Sequence, residues 1–352
     1  MQLARGPRPV CSEGESKARA YAEHTLQRLG FVVRYETFEF STFPGRFATP
    51  VGGGLFALTI AAASWRALSG SDVAVIASVL GIGVVVTIAY AQWMMRRGVL
   101  DFPLLRLSSE NLVAVRGTHE PKVWLVAHLD SKSQPVPSAL RVGGVAVLVL
   151  GLVLAVAGLL MTLAGVPARM LWLGALVTAV VGALPVLASV VGSDSDGALD
   201  NASGVAAVLA AAALVGRDVP CGVLLTSAEE LGLAGARAWA RAHAAGVALN
   251  CDGVDDEGEL LIMYNGRIPT DVVSAVRTAS AGQGRARRMP LGLLTDSTAL
   301  ADAGWRTVTV SHGSLKSLRR VHTKSDSLAN LRGTSVDDVS VILARAAEAL
   351  AS

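Results

Sequence analysis

The chain has 352 residues, and its 31 Lys+Arg against 28 Asp+Glu give a formal net charge of +3, a surplus too small to mark a nucleic-acid partner. Hydrophobic residues make up 52% and charged residues only 17%, against roughly 25% charged in ordinary soluble domains, and the mean hydropathy is +0.49. These figures argue against a purely soluble chain and exclude a disordered or a collagen-like one. Cys11, Cys221 and Cys251 are odd in number, widely spaced and without CxxC, which argues against a disulfide framework or a thiolate zinc site and fits a reducing compartment.

In chain order, Glu13 to Leu29 places apolar or small residues at helical spacing among charges, with Gly30 where a helix would end. Phe31 to Phe40 alternates as a strand. Two uncharged stretches follow, Phe47 to Trp65 and Val73 to Met95, joined by Ser69-Gly70-Ser71-Asp72. Strands are expected at Asn111 to Val115 and Val123 to Ala127. A second uncharged pair, Val142 to Pro167 and Met170 to Gly192, turns at Gly165 to Arg169. A hydrocarbon core of about 30 Å takes about 20 helical residues, so all four stretches read as membrane spans, the first being the shortest. Beyond them, strands are expected at Gly222 to Thr226, Val247 to Cys251, Glu259 to Met263 and Thr307 to Ser311. Helices are expected at Gly204 to Val215, Leu233 to Ala244, Thr270 to Ala281 and Ser335 to Ala351.

This alternation predicts an α/β fold with three α/β/α layers and a mostly parallel sheet. The expected domain is discontinuous, over residues 1–46, 97–140 and 194–352, with hairpins over 47–96 and 141–193. Each hairpin holds an even number of spans, so every α/β piece stays on one side of the bilayer. There is no positively charged start followed by a short apolar run, which predicts no cleaved signal peptide. Arg46, Arg96, Arg97, Lys132 and Arg141 flank the spans on the domain side, against Arg66 and Arg169 in the turns. The positive-inside rule then places the domain in the cytoplasm of a multi-pass cell-membrane protein.

The polar residues concentrate where predicted strands end, the usual place for sites in open α/β sheets. His128-Leu129-Asp130-Ser131 follows one strand, Asp200-Asn201-Ala202-Ser203-Gly204 leads into a helix, Glu229-Glu230 follows another strand, and Asp252 directly follows a third; His322-Thr323-Lys324-Ser325-Asp326 lies near the C-terminus. Alone, an HxD, an adjacent acidic pair or a DNASG turn says little. Together, two histidines and several carboxylates suit two divalent ions, with zinc favoured by mixed N/O ligation and manganese or cobalt also admitted. Such a pair activates a hydroxide and polarises a carbonyl. One of the adjacent glutamates can then ligate while the other moves the proton.

The ordered motifs HxDS, DNASG, EExGL, an Asp after a strand and HTxxD resemble the M28 family of di-zinc metallopeptidases. The resemblance covers most of the α/β portion, including Asn111 to Val115 and Thr295-Asp296-Ser297 ahead of Ala303-Gly304-Trp305, and none of the spans. It implies that His128 and Asp252 bind one zinc, that Glu230 and His322 bind the other, and that Asp200 bridges both. It further implies Glu229 as general base, Asp130 as the carboxylate fixing the His128 tautomer, and a cis peptide between Asp200 and Asn201. The expected activity is that of a membrane-embedded aminopeptidase cleaving N-terminal bonds of peptides, with the lipid bilayer as its other partner. The alternatives are an amidohydrolase or carboxypeptidase-like relative, and a non-catalytic receptor that keeps the fold. Two features depart from the family pattern, a membrane hairpin between Asp130 and Asp200 and another among the early strands. His24, His119 and His243 read as surface residues, and His312 as a candidate pocket residue.

Overall fold

The computed structural model describes residues 3–290 and 292–352. Its strands are β1 (Val32–Ser41), β2 (Arg106–Val115), β3 (Val123–His128), β4 (Cys221–Thr226), β5 (Val247–Val254), β6 (Glu259–Tyr264), β7 (Arg285–Arg288) and β8 (Arg306–Gly313). The helices, in chain order, are α1 (Glu13–Arg28), α2 (Phe43–Leu68), α3 (Val73–Trp93), α4 (Val99–Asp101), α5 (Ser138–Leu163), α6 (Arg169–Leu187), α7 (Gly204–Leu214), α8 (Ala234–Ala242), α9 (Thr270–Ala279), α10 (Asp296–Asp302), α11 (Leu315–Arg320) and α12 (Thr334–Ala351). The chain divides into two compact units. One comprises the chain up to Ser41, Leu105–Ser133 and Ser193–Ser352; the other comprises Thr42–Leu104 and Gln134–Gly192.

The first unit is built on one mixed sheet, with strands in the order β1-β2-β4-β3-β5-β8-β6-β7. Its centre is parallel, β4 with β3, β3 with β5 and β5 with β8. Strands β3 and β4 are buried at every residue, which is why both read as unbroken apolar runs. Alternate residues feed two cores. Leu125, Ala127, Leu225 and Leu249 meet α1, α7, α9 and α12 on one face, while Trp124, Val126, Leu224 and Ala248 meet Trp239 of α8 and Leu300 of α10 on the other. That is the expected three-layer α/β/α arrangement.

The local signals are clear. Helix α1 is capped by the Ser12 side chain, which accepts from Glu15 N, and it buries Ala18, Ala22 and Leu26 at fourfold spacing. Strand β2 begins at Arg106, earlier than expected, because it pairs with β1 along its whole length, Ser41 opposite Arg106 and Val32 opposite Val115. Its first residues, Arg106, Leu107 and Ser108, are all exposed, so they carry no burial pattern. Strand β7, of sequence RARR, gives no apolar alternation; it is an edge strand, where charge blocks further pairing.

Among the described residues, the second unit holds four helices long and apolar enough to cross a membrane, Phe43–Leu68, Val73–Asp101, Ala139–Leu163 and Arg169–Leu187. Helix α3 reaches Asp101 through a π-helical turn at Met94–Gly98. Helices α5 and α6 approach closely because Gly144, Gly151 and Gly158 recur every seven residues. A Cβ at those positions would meet Gly182 O at 2.8 Å, Thr178 Oγ1 at 2.7 Å and the Trp172 ring at 2.9 Å. Small residues in this role are the usual device where lipid gives helices no hydrophobic drive to associate.

Candidate metal centre

The C-terminal ends of the parallel strands bring the predicted residues together. His128 ends β3, Glu229 and Glu230 follow β4, and Asp252 lies where β5 shifts register against β8 between Cys251 and Val254. Asp200 sits in the turn Ala198–Ser203 that leads into α7, where the backbone of Asp200 (φ −115°, ψ 90°) and Asn201 (φ −137°, ψ 37°) is not helical, and the Asp200–Asn201 peptide is cis. His322 follows α11 with φ +63°.

Asp200 is central. Its Oδ1 is 3.0 Å from His128 Nε2, and its Oδ2 is 3.0 Å from His322 Nε2. Around His128 Nε2, Asp252 Oδ1 lies at 3.7 Å and Glu229 Oε2 at 3.9 Å. On the other side, Glu230 Oε2 is 3.3 Å from His322 Nε2. Two groups of donor atoms result, His128 with Glu229 and Asp252, and Asp200 with Glu230 and His322.

The donor chemistry fits divalent cations. His128 Nδ1 lies 3.0 Å from the main-chain oxygen of Asp130, which can only accept, so in the neutral ring Nε2 carries the lone pair. That buried Nε2 has no hydrogen-bond partner among the described residues, and neither has Glu230 Oε1. A lone pair facing carboxylate oxygens is repulsive unless a positive charge stands between them. Charge tells the same story. Burial alone would lower the His128 pKa, yet Glu229, Asp130, Asp200 and Asp252 hold it well above the usual imidazole range. Burial drives the Glu229 carboxyl well up, helped by Glu230, Asp252 and Asp296.

Surrounding residues fix the loops. The Asp130 carboxylate accepts from Glu229 N and Glu230 N, both at 3.1 Å, and stands 3.7 Å from His128 Nδ1. The main chain of Asp130 thus holds the His128 ring, while its carboxylate sets the acidic pair, a division that HxD spacing alone cannot reveal. Asn201 donates to Cys251 O at 2.9 Å and accepts from Gly204 N and Gly253 N at 3.1 Å, tying the Asp200 turn to the Asp252 bulge. Asp326 accepts from Leu199 N at 2.6 Å and Asp200 N at 3.2 Å, and burial pushes its carboxyl up to about 7.

Other residues singled out in the sequence make contacts of their own. Thr295 is the N-cap of α10; Asp296 reaches Thr226, whose hydroxyl donates to its carboxylate at 2.5 Å. His312 places Nδ1 2.7 Å from Asp255 O. His243 stacks on Trp239 with ring centroids 3.5 Å apart. Lys132, counted above among flanking charges, is an ion-pair partner of the cluster: its Nζ is 2.6 Å from Glu230 Oε2, with side chains 17% and 4% exposed. A cation so placed does not face headgroups. Its signal was adjacency to HxDS; Arg8 and Glu15 gave none, because the partners that tie them to the strand-end loops, Leu129 and Ser227, lie over a hundred residues away.

A mixed α/β sheet with imidazoles and carboxylates gathered at its parallel strand ends defines a metallopeptidase-like hydrolase. The chain belongs to peptidase family M28, which it matches over residues 111–347. The fold is similar to that of an aminopeptidase from Aneurinibacillus sp. strain AM-1, at 16% identity and a TM-score of 0.55, covering 98% of this chain and 90% of that one. A zinc aminopeptidase from Bacillus subtilis is similar at 14% identity and a TM-score of 0.53, covering 98% and 91%. A glutaminyl cyclase from Porphyromonas gingivalis is similar at 15% identity and a TM-score of 0.55, covering 98% and 93%. No curated protein sequence matches the chain significantly.

Proposed function

We propose that the chain is a membrane-embedded, two-metal aminopeptidase, with zinc as its metal and N-terminal peptide bonds as its target. The observation that carries this reading is Asp200, whose two oxygens each stand 3.0 Å from a different histidine Nε2, the disposition of a carboxylate that serves two ions at once. His128 and Asp252 would hold one ion and Glu230 and His322 the other. The ions would supply polarisation of the scissile carbonyl and activation of a water.

The remaining work belongs to side chains. Glu229, 6% exposed and beside His128 and Asp252, takes the proton from the attacking water at its carboxylate and returns it to the leaving amine. Asp130, through Glu229 N and Glu230 N, holds base and ligand in fixed relation. The spans anchor the chain in a bilayer, and their flanking arginines favour a cytoplasmic catalytic unit.

The test is hydrolysis of aminoacyl-amide reporters by detergent-purified chain, with chelation and zinc restoration. Zinc-dependent cleavage that requires a free α-amine, and that falls about 10² to 10⁴ fold in Glu229→Gln with metal content unchanged, is the expected result. Cleavage confined to N-blocked amides would replace the aminopeptidase reading with that of an amidohydrolase.

A further inference from the structure

The proposed ligands stand on loops that the sequence separates widely. His128 and Asp130 follow β3, whereas Asp200 stands in the loop entered when the chain returns to the α/β unit at Ser193. Arg8, 2% exposed, precedes α1 and touches both loops. Its Nε donates to Leu129 O at 2.9 Å. Nη1 donates to Asp196 O at 2.6 Å and Leu3 O at 2.9 Å, and Nη2 to Gly197 O at 2.9 Å. The main chain repeats the link: Arg8 N donates to Ser131 Oγ, and Ser131 N to Arg8 O, both at 2.9 Å. Ser131 Oγ continues to Ser195 O at 3.1 Å.

Each of these guanidinium acceptors is a main-chain carbonyl, and three of the four lie in the loops that carry proposed metal-centre residues. Leu129 lies between His128 and Asp130, while Asp196 and Gly197 lead into Asp200. The Asp200 turn is therefore gripped by opposite polarities, its carbonyls by Arg8 and its N–H groups at Leu199 and Asp200 by the Asp326 carboxylate. Space at the junction is full. Gly197 has φ +59°, and a Cβ there would lie 2.4 Å from Asp200 O, 2.5 Å from Ser131 Cβ and 3.1 Å from Arg8 Nη2. A planar fork with five donors can hold carbonyls from two loops at fixed spacing, which the single ammonium of a lysine cannot do.

We propose that Arg8 is a positioning residue of the metal centre: its guanidinium sets the His128–Asp130 loop against the Asp200 loop and so fixes how far the bridging carboxylate stands from His128. The inference rests on the two-metal reading above. Arg8 touches neither ligand side chains nor substrate; it acts through main-chain carbonyls.

The experiment measures zinc affinity of the full chain in detergent by competition with a chromophoric chelator, and thermal unfolding of the chelated chain. Arg8→Lys, Arg8→Ala and Gly197→Ala are compared with the unsubstituted protein. Loss of outer contacts that orient ligands typically costs 10- to 100-fold in metal affinity, and that loss is expected in all three. Millimolar ethylguanidinium should restore part of it in Arg8→Ala and change nothing in the unsubstituted chain. Should Arg8→Ala fail to fold, Arg8→Lys and Gly197→Ala carry the comparison. Unsubstituted zinc affinity in a folded Arg8→Lys chain would overturn the inference. So would affinity losses that merely track lowered unfolding temperatures, without rescue in a folded Arg8→Ala chain, since Arg8 would then be a brace of the fold alone. Absence of zinc binding by the unsubstituted chain would instead remove the two-metal reading, and this inference with it.

Discussion

Replacing Lys132 by methionine probes the charge balance of the cluster in two opposite directions. Lys132 Nζ is 2.6 Å from Glu230 Oε2 and 3.4 Å from Glu230 O, with both side chains largely dry. Burial would lower the Lys132 pKa, but Glu230 and Glu229 hold it raised. Burial would raise that of Glu230, but Lys132 and His322 hold it lowered. The pair is thus ionised, and removing Lys132 leaves a buried carboxylate with His322 as its remaining partner, at a cost of up to about 3 to 5 kcal/mol. At about 2 to 4 °C per kcal/mol for a domain of this size, the chelated Lys132→Met chain should unfold roughly 6 to 20 °C lower. With zinc the sign reverses. The ammonium competes for the oxygen that faces His322, and two unit charges about 4 Å apart at an effective dielectric near 20 interact by about 4 kcal/mol. Its removal should tighten zinc binding roughly ten- to a thousandfold, which enlarges the zinc-induced stabilisation by about 1.4 kcal/mol per tenfold. Thermal unfolding with and without zinc, beside a chelator-competition titration, measures both. An unchanged chelated unfolding temperature would show that the pair does not stabilise the fold, and weaker zinc binding would show that Lys132 orients Glu230 rather than competing for it.

Asp200→Ala should lose both ions, since one carboxylate faces both histidines, and elemental analysis that still finds two zinc per chain would refute the bridge. Glu15 gives a pH test. Burial, with help from Asp130, pushes its carboxyl up to about 7 from 4.5, against Arg19 and the Ser227 hydroxyl. The folded chain therefore holds this proton more tightly than the unfolded one. The contribution to stability is full below pH 4.5 and is lost as pH rises towards 7, about 3 kcal/mol in all. Glu15→Gln should flatten the fall in unfolding temperature between pH 5 and pH 8, and parallel profiles for the two chains would refute the assignment.

Much of this was legible because the two kinds of segment have different periods. Strands β3 and β4 lie buried on both faces and so appear as continuous apolar runs, while α1 shows its core face at Ala18, Ala22 and Leu26. The seven residues read as site residues lie near one another, because six stand at or just after strand ends or in the turn that leads into α7, while His322 follows the short helix α11. What stayed hidden is of another kind. Strand β7 and the short helices α10 and α11 are too brief or too polar to show a period. Asn201, Asp326 and Arg8 act by bonding main-chain groups distant in sequence, and such partners leave no local pattern. Lys132 looked like a flanking charge, since adjacency to a span and adjacency to a ligand loop are the same thing in one dimension.

The two insertions are tolerated for a reason the ladder displays. The first leaves at Ser41 and returns beside Arg106, residues that face each other in the β1–β2 pair, so the α/β unit meets the insertion as a hairpin loop. The second leaves at Ser133 and returns at Ser193, with Asp194 N donating to Ser133 Oγ at 2.9 Å. Closing a loop costs only about 0.6 kcal/mol more for each doubling of its length. Each unit has a core of its own: Leu125, Leu225 and Leu249 belong to one cluster, and Ile60, Ile76 and Trp172 to another within the helical unit. It follows that exchanging residues 42–105 for Asn-Gly, which suits a two-residue hairpin turn, and residues 134–192 for a short Gly/Ser linker should leave a folded α/β unit. The shortened chain should be monodisperse without detergent and bind zinc within about tenfold of the full chain, given that every proposed ligand lies outside both insertions. Gel filtration and chelator competition decide it. A shortened chain that aggregates, or that folds yet binds no zinc, would mean that the α/β unit draws its stability or its ligand geometry from the helices it has lost.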